Sequence, residues 1–260
     1  MREPAVARRI WVLADDRAGN RSQALGVANA LGDPFELKNL AYGPLARLPN
    51  GWLPPSFAGL TRGSRGSLVP PWPDLVIAAG RRTAPIARRI KGIAGSATQL
   101  VQIMNPGGPT ENFDLLCVPR HDSPVVHHNV LPITGAPHGL TMDALNQAQA
   151  QWSGRLDHLP APRIALIVGG STRRRQFTKD MTEELADKAS TFAEELGGSL
   201  LVTTSRRTGD MADTLLDRLT GPRDIYDWRQ SQEENPYRGY LACADMIVVT
   251  GESISMCTEA

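Results

Sequence analysis

Several short stretches of this chain carry residues that could do chemistry, and each follows a run that reads as a β-strand. Leu13-Ala-Asp-Asp-Arg-Ala-Gly-Asn-Arg-Ser-Gln23 puts two carboxylates, Asp15 and Asp16, at a strand end, where a general base would serve. Asn20 reads as the cap of the helix that follows, and Gly19 as a turn residue. Ala78-Ala-Gly-Arg-Arg-Thr-Ala-Pro85 ends a strand at Gly80 and opens a helix at Thr83, with Arg81 and Arg82 beside free N–H groups that would favour an anion. Pro119-Arg-His-Asp122 offers His121 and Asp122 as an acid–base couple, because imidazole titrates near neutral pH.

The second half of the chain carries the stretches suited to phosphate. Gly169, Gly170 and Ser171 follow a strand, where two glycines let a phosphate approach the backbone and Ser171 and Thr172 add hydroxyls. Thr203-Thr-Ser-Arg-Arg-Thr208 repeats the pattern, with Arg206 and Arg207 able to form paired bonds to phosphate oxygens. The last stretch, Gly251-Glu-Ser-Ile-Ser-Met-Cys-Thr-Glu259, places Ser253 and Ser255 at a helix start, suited to a diphosphate. It also places Glu259 one turn in, where a carboxylate suits a ribose diol. None of these is a Walker or a Gly-x-Gly-x-x-Gly motif. For each, the plainer reading is a well-capped turn, and the three phosphate-suited turns together say more than any one.

The elements that would position these residues alternate. Strands are predicted at 10–14, 35–40, 74–79, 100–104, 114–118 and 130–134, and helices at 21–31, 84–93 and 142–156. A second series follows: strand 164–168, helix 180–196, strand 200–204, helix 211–219, strand 225–228, helix 237–244 and strand 246–250. Strands apolar on both faces and separated by helices predict parallel sheets covered on both sides. The Pro-rich stretch from Ser153 to Arg163 separates the series, which predicts domains at 1–152 and 153–260. Residues 41–73, rich in Pro and Gly, interrupt the first series, either as an excursion packed by its own aromatics or as an acceptor-binding or membrane-touching loop. The chain stops just after the strand at 246–250, so the second domain reads as cut short, with residues 253–260 expected to be poorly ordered.

Composition narrows the function classes. Charged residues are 21% and the net charge is +1, which gives no case for nucleic-acid binding. Three cysteines, Cys117, Cys243 and Cys257, are too few and too widely spaced for a disulfide framework or zinc site, and fit a reducing cytoplasm. His127, His128 and His158 show no metal-ligand spacing. The first residues lack the apolar core of a signal peptide, and no run reaches transmembrane length.

These stretches resemble the "elongated mitochondria" mitochondrial fission proteins and their bacterial relatives. The similarity is carried by Asp16-Arg-Ala-Gly-Asn-Arg-Ser-Gln23, Pro73 to Pro85, Val101-Gln-Ile-Met104, Pro119 to Asp122, Gly135-Ala-Pro-His138, Gly169-Gly170, Ser205 to Thr208, Asn235-Pro-Tyr237 and Val249 to Ala260. The resemblance implies an α/β fold of two Rossmann-like domains facing across a cleft, the GT-B type. It also implies a metal-independent glycosyltransferase with no resident cofactor. A nucleoside-diphosphate sugar would be held by Gly169, Gly170, Ser171, Arg206, Ser253, Ser255 and Glu259, with Asp16 or His121 as base. The alternative it implies is a non-catalytic adaptor that recruits a protein partner at a membrane surface, touching it through residues 41–73.

Overall fold

A computed structural model describes residues 8–50, 54–125, 127–172, 175–230 and 234–260. Trp52 of the excursion, and Arg173 and Arg174 beside the glycine turn, lie outside these residues. The chain forms two compact units, residues 1–139 and 140–260. Each is a parallel sheet with helices on both faces, as alternating doubly apolar strands require.

In the first unit six strands run in the order β2 (Phe35–Asn39), β1 (Ile10–Ala14), β3 (Leu75–Ala79), β4 (Gln99–Ile103), β5 (Leu115–Pro119), β6 (Val130–Ile133). The period-2 geometry of β1 sends Trp11 and Leu13 to one face and Ile10 and Val12 to the other, and all four are buried. The first face packs on α3 (Ala84–Ala94) through Ile86 and Ile90, the second on α1 (Ala18–Leu31) through Ala24 and Ala28. The excursion at 41–73 closes on itself, where the Gly43 N–H donates to the Gly59 carbonyl and the Thr61 N–H to the Ala41 carbonyl, and it also packs on the core. It includes the single-turn helix α2 (Arg62–Gly66), and its Leu60 and Leu68 are buried in the α3-side core with Tyr42, Phe57 and Trp72 against them.

In the second unit the order is β10 (Met246–Val249), β7 (Arg163–Ile167), β8 (Ser199–Thr203), β9 (Arg223–Tyr226). One face packs on α5 (Lys179–Glu195) and α6 (Met211–Arg218) through Ala186, Ala193 and Leu215. The other packs on α4 (Met142–Leu156) and α7 (Tyr237–Cys243) through Trp152, Leu156, Tyr240 and Leu241. This corrects the boundary expected at 152/153, because α4 covers the second sheet. The Pro-rich stretch is no free linker either. Leu159 is buried, and the Pro160 and Pro162 carbonyls accept bonds from the Ser199 hydroxyl and N–H. Residues 254–259, expected to be poorly ordered, form the short helix α8 (Ile254–Glu259). Among the described residues no helix is long and apolar enough to cross a membrane.

Candidate functional site

In an open parallel sheet the chain leaves in opposite directions from two adjacent strands at one point, and the loops there diverge to leave a crevice at the strands' carboxyl ends. In the first sheet that point lies between β1 and β3, and in the second between β7 and β10. Both places hold residues that the sequence singled out.

At the first, Asp15 is 2% exposed and accepts bonds from the Asn20 side chain at 2.6 Å and the Arg17 N–H at 3.2 Å. The Arg82 guanidinium reaches across from the β3 loop and pairs with both Asp15 and Asp16. Arg82 also lies 4.3 Å over the Tyr42 ring. Burial, with a hydrogen bond donated to Asp16, raises the Asp15 carboxyl above its ordinary range against the pull of Asn20, Arg17 and Arg82. Desolvation pushes Asp16 the same way, but hydrogen bonds with Arg82 and Asp15 outweigh it and hold Asp16 below that range. The Asp16 side chain is 53% exposed. Asp15 is therefore a fixed anchor, and Asp16 is the carboxylate that an incoming hydroxyl could meet.

Two expectations change here. Asn20 does not cap: α1 starts at Ala18, and the Asn20 amide turns back to Asp15. Gly80 has φ +82°, and a side chain there would overlap the Asn20 amide. The Arg81–Arg82 pair is not an open anion site, since Arg81 donates to the carbonyls of Leu48 and Ala46 while Arg82 serves the two aspartates. His121 sits with Asp122 at 3.8 Å after β5, three strands along from β1. At about 4.8 Å per strand that is roughly 14 Å from the Asp15–Asp16 loop, so the two candidate bases are separate places rather than one couple.

At the second place, three loops converge. The Gly169 N–H donates to the Thr250 hydroxyl at 2.8 Å, and that hydroxyl donates to Glu252 at 3.0 Å. The Gly170 N–H donates to the same Glu252 oxygen, Oε1, at 2.6 Å, and the Ser171 N–H donates to the Arg207 carbonyl at 3.0 Å. The Ser171 hydroxyl accepts the Phe177 N–H, and the hydroxyls of Ser205 and Thr208 close on the Gly169 carbonyl. The Arg207 guanidinium stands 3.9 Å from Glu252, while Arg206 is exposed. The turn expected to hold out free N–H groups thus has all three engaged within the chain. Ser253 precedes α8 without a capping bond and Ser255 lies in its first turn, while Glu259 accepts the Tyr237 hydroxyl at 2.7 Å. Thr250 and Glu252 are the site residues that sequence reading passed over. Their signal was position alone: a hydroxyl and a carboxylate just past a strand beside β7.

Gly170 has φ +132°, and a side chain there would overlap the backbone of Arg207 and Thr208. Gly170→Val is therefore expected to destabilise the second unit by about 2–3 kcal/mol, from backbone strain and overpacking together. Urea unfolding checks it, and an unchanged midpoint would show that the turn relaxes freely.

Two Rossmann-like units, each with polar residues gathered at its switch point, define an α/β protein of two parallel-sheet domains. The chain belongs to the family described as Mitochondrial fission ELM1, which it matches over residues 18–260. It is 30% identical to an uncharacterized protein of Rickettsia prowazekii, over 96% of this chain and 80% of that protein. It is 28% identical to the mitochondrial fission protein ELM1 of Arabidopsis thaliana, over 72% of this chain and 49% of that protein, so it matches about half of the plant relative's length. Its fold is similar to two UDP-GlcNAc 2-epimerases solved with UDP-GlcNAc. The Methanocaldococcus jannaschii enzyme gives a TM-score of 0.51 at 13% identity, over 97% of this chain and 80% of that one. The Neisseria meningitidis enzyme gives 0.50 at 10%, over 94% and 78%.

Proposed function

We propose that the protein is a metal-independent glycosyltransferase of the cytoplasm, which moves a sugar from a nucleoside diphosphate to an acceptor hydroxyl. The observation that carries this reading is the convergence at the β7–β10 switch point of an arginine, Arg207, with acceptors and small residues suited to a sugar nucleotide. Arg206 and Arg207 would neutralise the departing diphosphate, as donors placed where charge develops lower a barrier. Glu259, oriented by Tyr237, would take the ribose hydroxyls. The first unit would hold the acceptor, with Asp16 receiving its proton. The diphosphate cannot rest on the glycine-turn amides while they keep their present partners, so in this reading its charge falls to the two arginines.

That same closure of the turn favours a second reading, a non-catalytic adaptor of the fission family that keeps the fold and binds a protein partner. Thermal melting separates the two. A bound ligand stabilises by about 2.7 kcal/mol at one hundred times its Kd. UDP, GDP or ADP, or one of their sugar conjugates, should therefore raise Tm clearly at millimolar concentration if the site is live. No shift with any of them would leave the adaptor.

A further inference from the structure

We infer that Glu252 reads hydroxyl groups of the transferred sugar, an inference that rests on the glycosyltransferase reading above. Glu252 belongs to neither the predicted phosphate turns nor the ribose carboxylate, yet it is the most tightly held acidic group at the β7–β10 switch point. Its Oε1 takes the Gly170 N–H at 2.6 Å and the Thr250 hydroxyl at 3.0 Å, and Thr250 is itself fixed by the Gly169 N–H. The side chain is only 17% exposed. A Cβ at Gly169 would overlap Oε1, so the glycine leaves the space that the carboxylate fills.

The chemistry of that position follows. Oε1 is saturated by donors from the chain, and among the described residues Oε2 accepts no hydrogen bond. A carboxylate held by one oxygen presents the other as a charged acceptor in a set place. Phosphate brings only acceptors and negative charge, and would be repelled. Sugar hydroxyls bring donors, and an O–H bond to a carboxylate is among the stronger hydrogen bonds. Arg207, 3.9 Å from Oε1, sets a cation for the diphosphate beside the acceptor for the sugar. The two groups thus divide the donor by its chemistry. The glycine pair, read from sequence as a phosphate cradle, becomes the seat of a carboxylate that recognises a polyol.

Isothermal titration of the whole protein with UDP, UDP-N-acetylglucosamine, GDP and GDP-mannose tests this. Glu252→Gln keeps an oxygen for the Gly170 N–H but replaces the free acceptor with a donor. It should weaken the sugar conjugate that binds by roughly 10–100-fold and leave the matching free diphosphate within about twofold. Glu252→Asp, one methylene shorter, should show the same split, and an unchanged Tm will certify that both variants fold. Glu259→Gln should weaken free diphosphate and conjugate alike. Tighter binding of free diphosphate by Glu252→Gln would mean that the carboxylate occupies a phosphate seat, and would overturn the inference. Equal affinities for the conjugate in wild type and both variants would overturn it too, while leaving the glycosyltransferase reading intact. Wild-type protein that binds none of the four would overturn both together.

Discussion

Asp16→Asn is expected to lower sugar transfer about 10²–10⁴-fold while donor affinity stays close to the wild-type value. Asparagine fills the same space and can still touch Arg82, but it cannot accept a proton. The loss should therefore fall on kcat rather than on donor binding. The pH profile adds a second readout. Arg82 and Asp15 hold the Asp16 carboxyl below its ordinary range. A base with a lowered pKa stays deprotonated as pH falls, and stops working only once pH drops through that lowered value. The acid limb of kcat/KM should then lie below about 4, the ordinary carboxylate range. His121→Ala inactive with Asp16→Asn active would move the role to His121. Arg82→Lys should weaken this control, because an ammonium cannot bridge Asp15 and Asp16 as the planar guanidinium does.

How much of this was readable beforehand follows from the range of each signal. The β-strands came out within a residue or two because doubly apolar runs between turn residues are local features. The positions of their carboxyl ends were therefore legible as well. The bonds at those ends were not readable. Gly169 meets Thr250 across 81 positions, and Gly170 meets Glu252 across 82. Only the placing of β10 beside β7 brings them together. The same gap misread Arg81 and Arg82 as anion binders. A guanidinium after a strand looks free until the loop at 46–50 and the β1 aspartates are found within its reach. Residues 41–73 were open to two readings because aromatics in a Pro-rich loop do not say what they cover. Here Phe57 and Trp72 lie against the α3-side core of the first unit.

Helix α4 is the sharpest case, and Trp152→Ala is the variant that tests it. The apolar residues of 142–156 predict a helix but do not name the sheet it covers. The structure gives it to the second unit. Trp152 is 6% exposed, packs edge-on against Tyr240 with ring centroids 6.5 Å apart, and touches the one residue of α7 with no side chain to refuse it. A Cβ at Gly239 would overlap the indole, so the glycine lets the two helices close. Beneath them lie Ala165, Ile167 and Leu201 of β7 and β8. Removing a buried indole costs about 3–5 kcal/mol in lost transfer energy and cavity. That is a large part of the 5–15 kcal/mol that holds a typical domain folded. Hydrogen exchange can assign the loss to one unit. Amides of β7 and β8 should lose protection by a factor of roughly 10²–10⁴, following from about 1.4 kcal/mol per tenfold, while those of β3 and β4 keep theirs. If β3 and β4 lost protection while β7 and β8 did not, α4 would belong to the first unit and the boundary would return to 152/153.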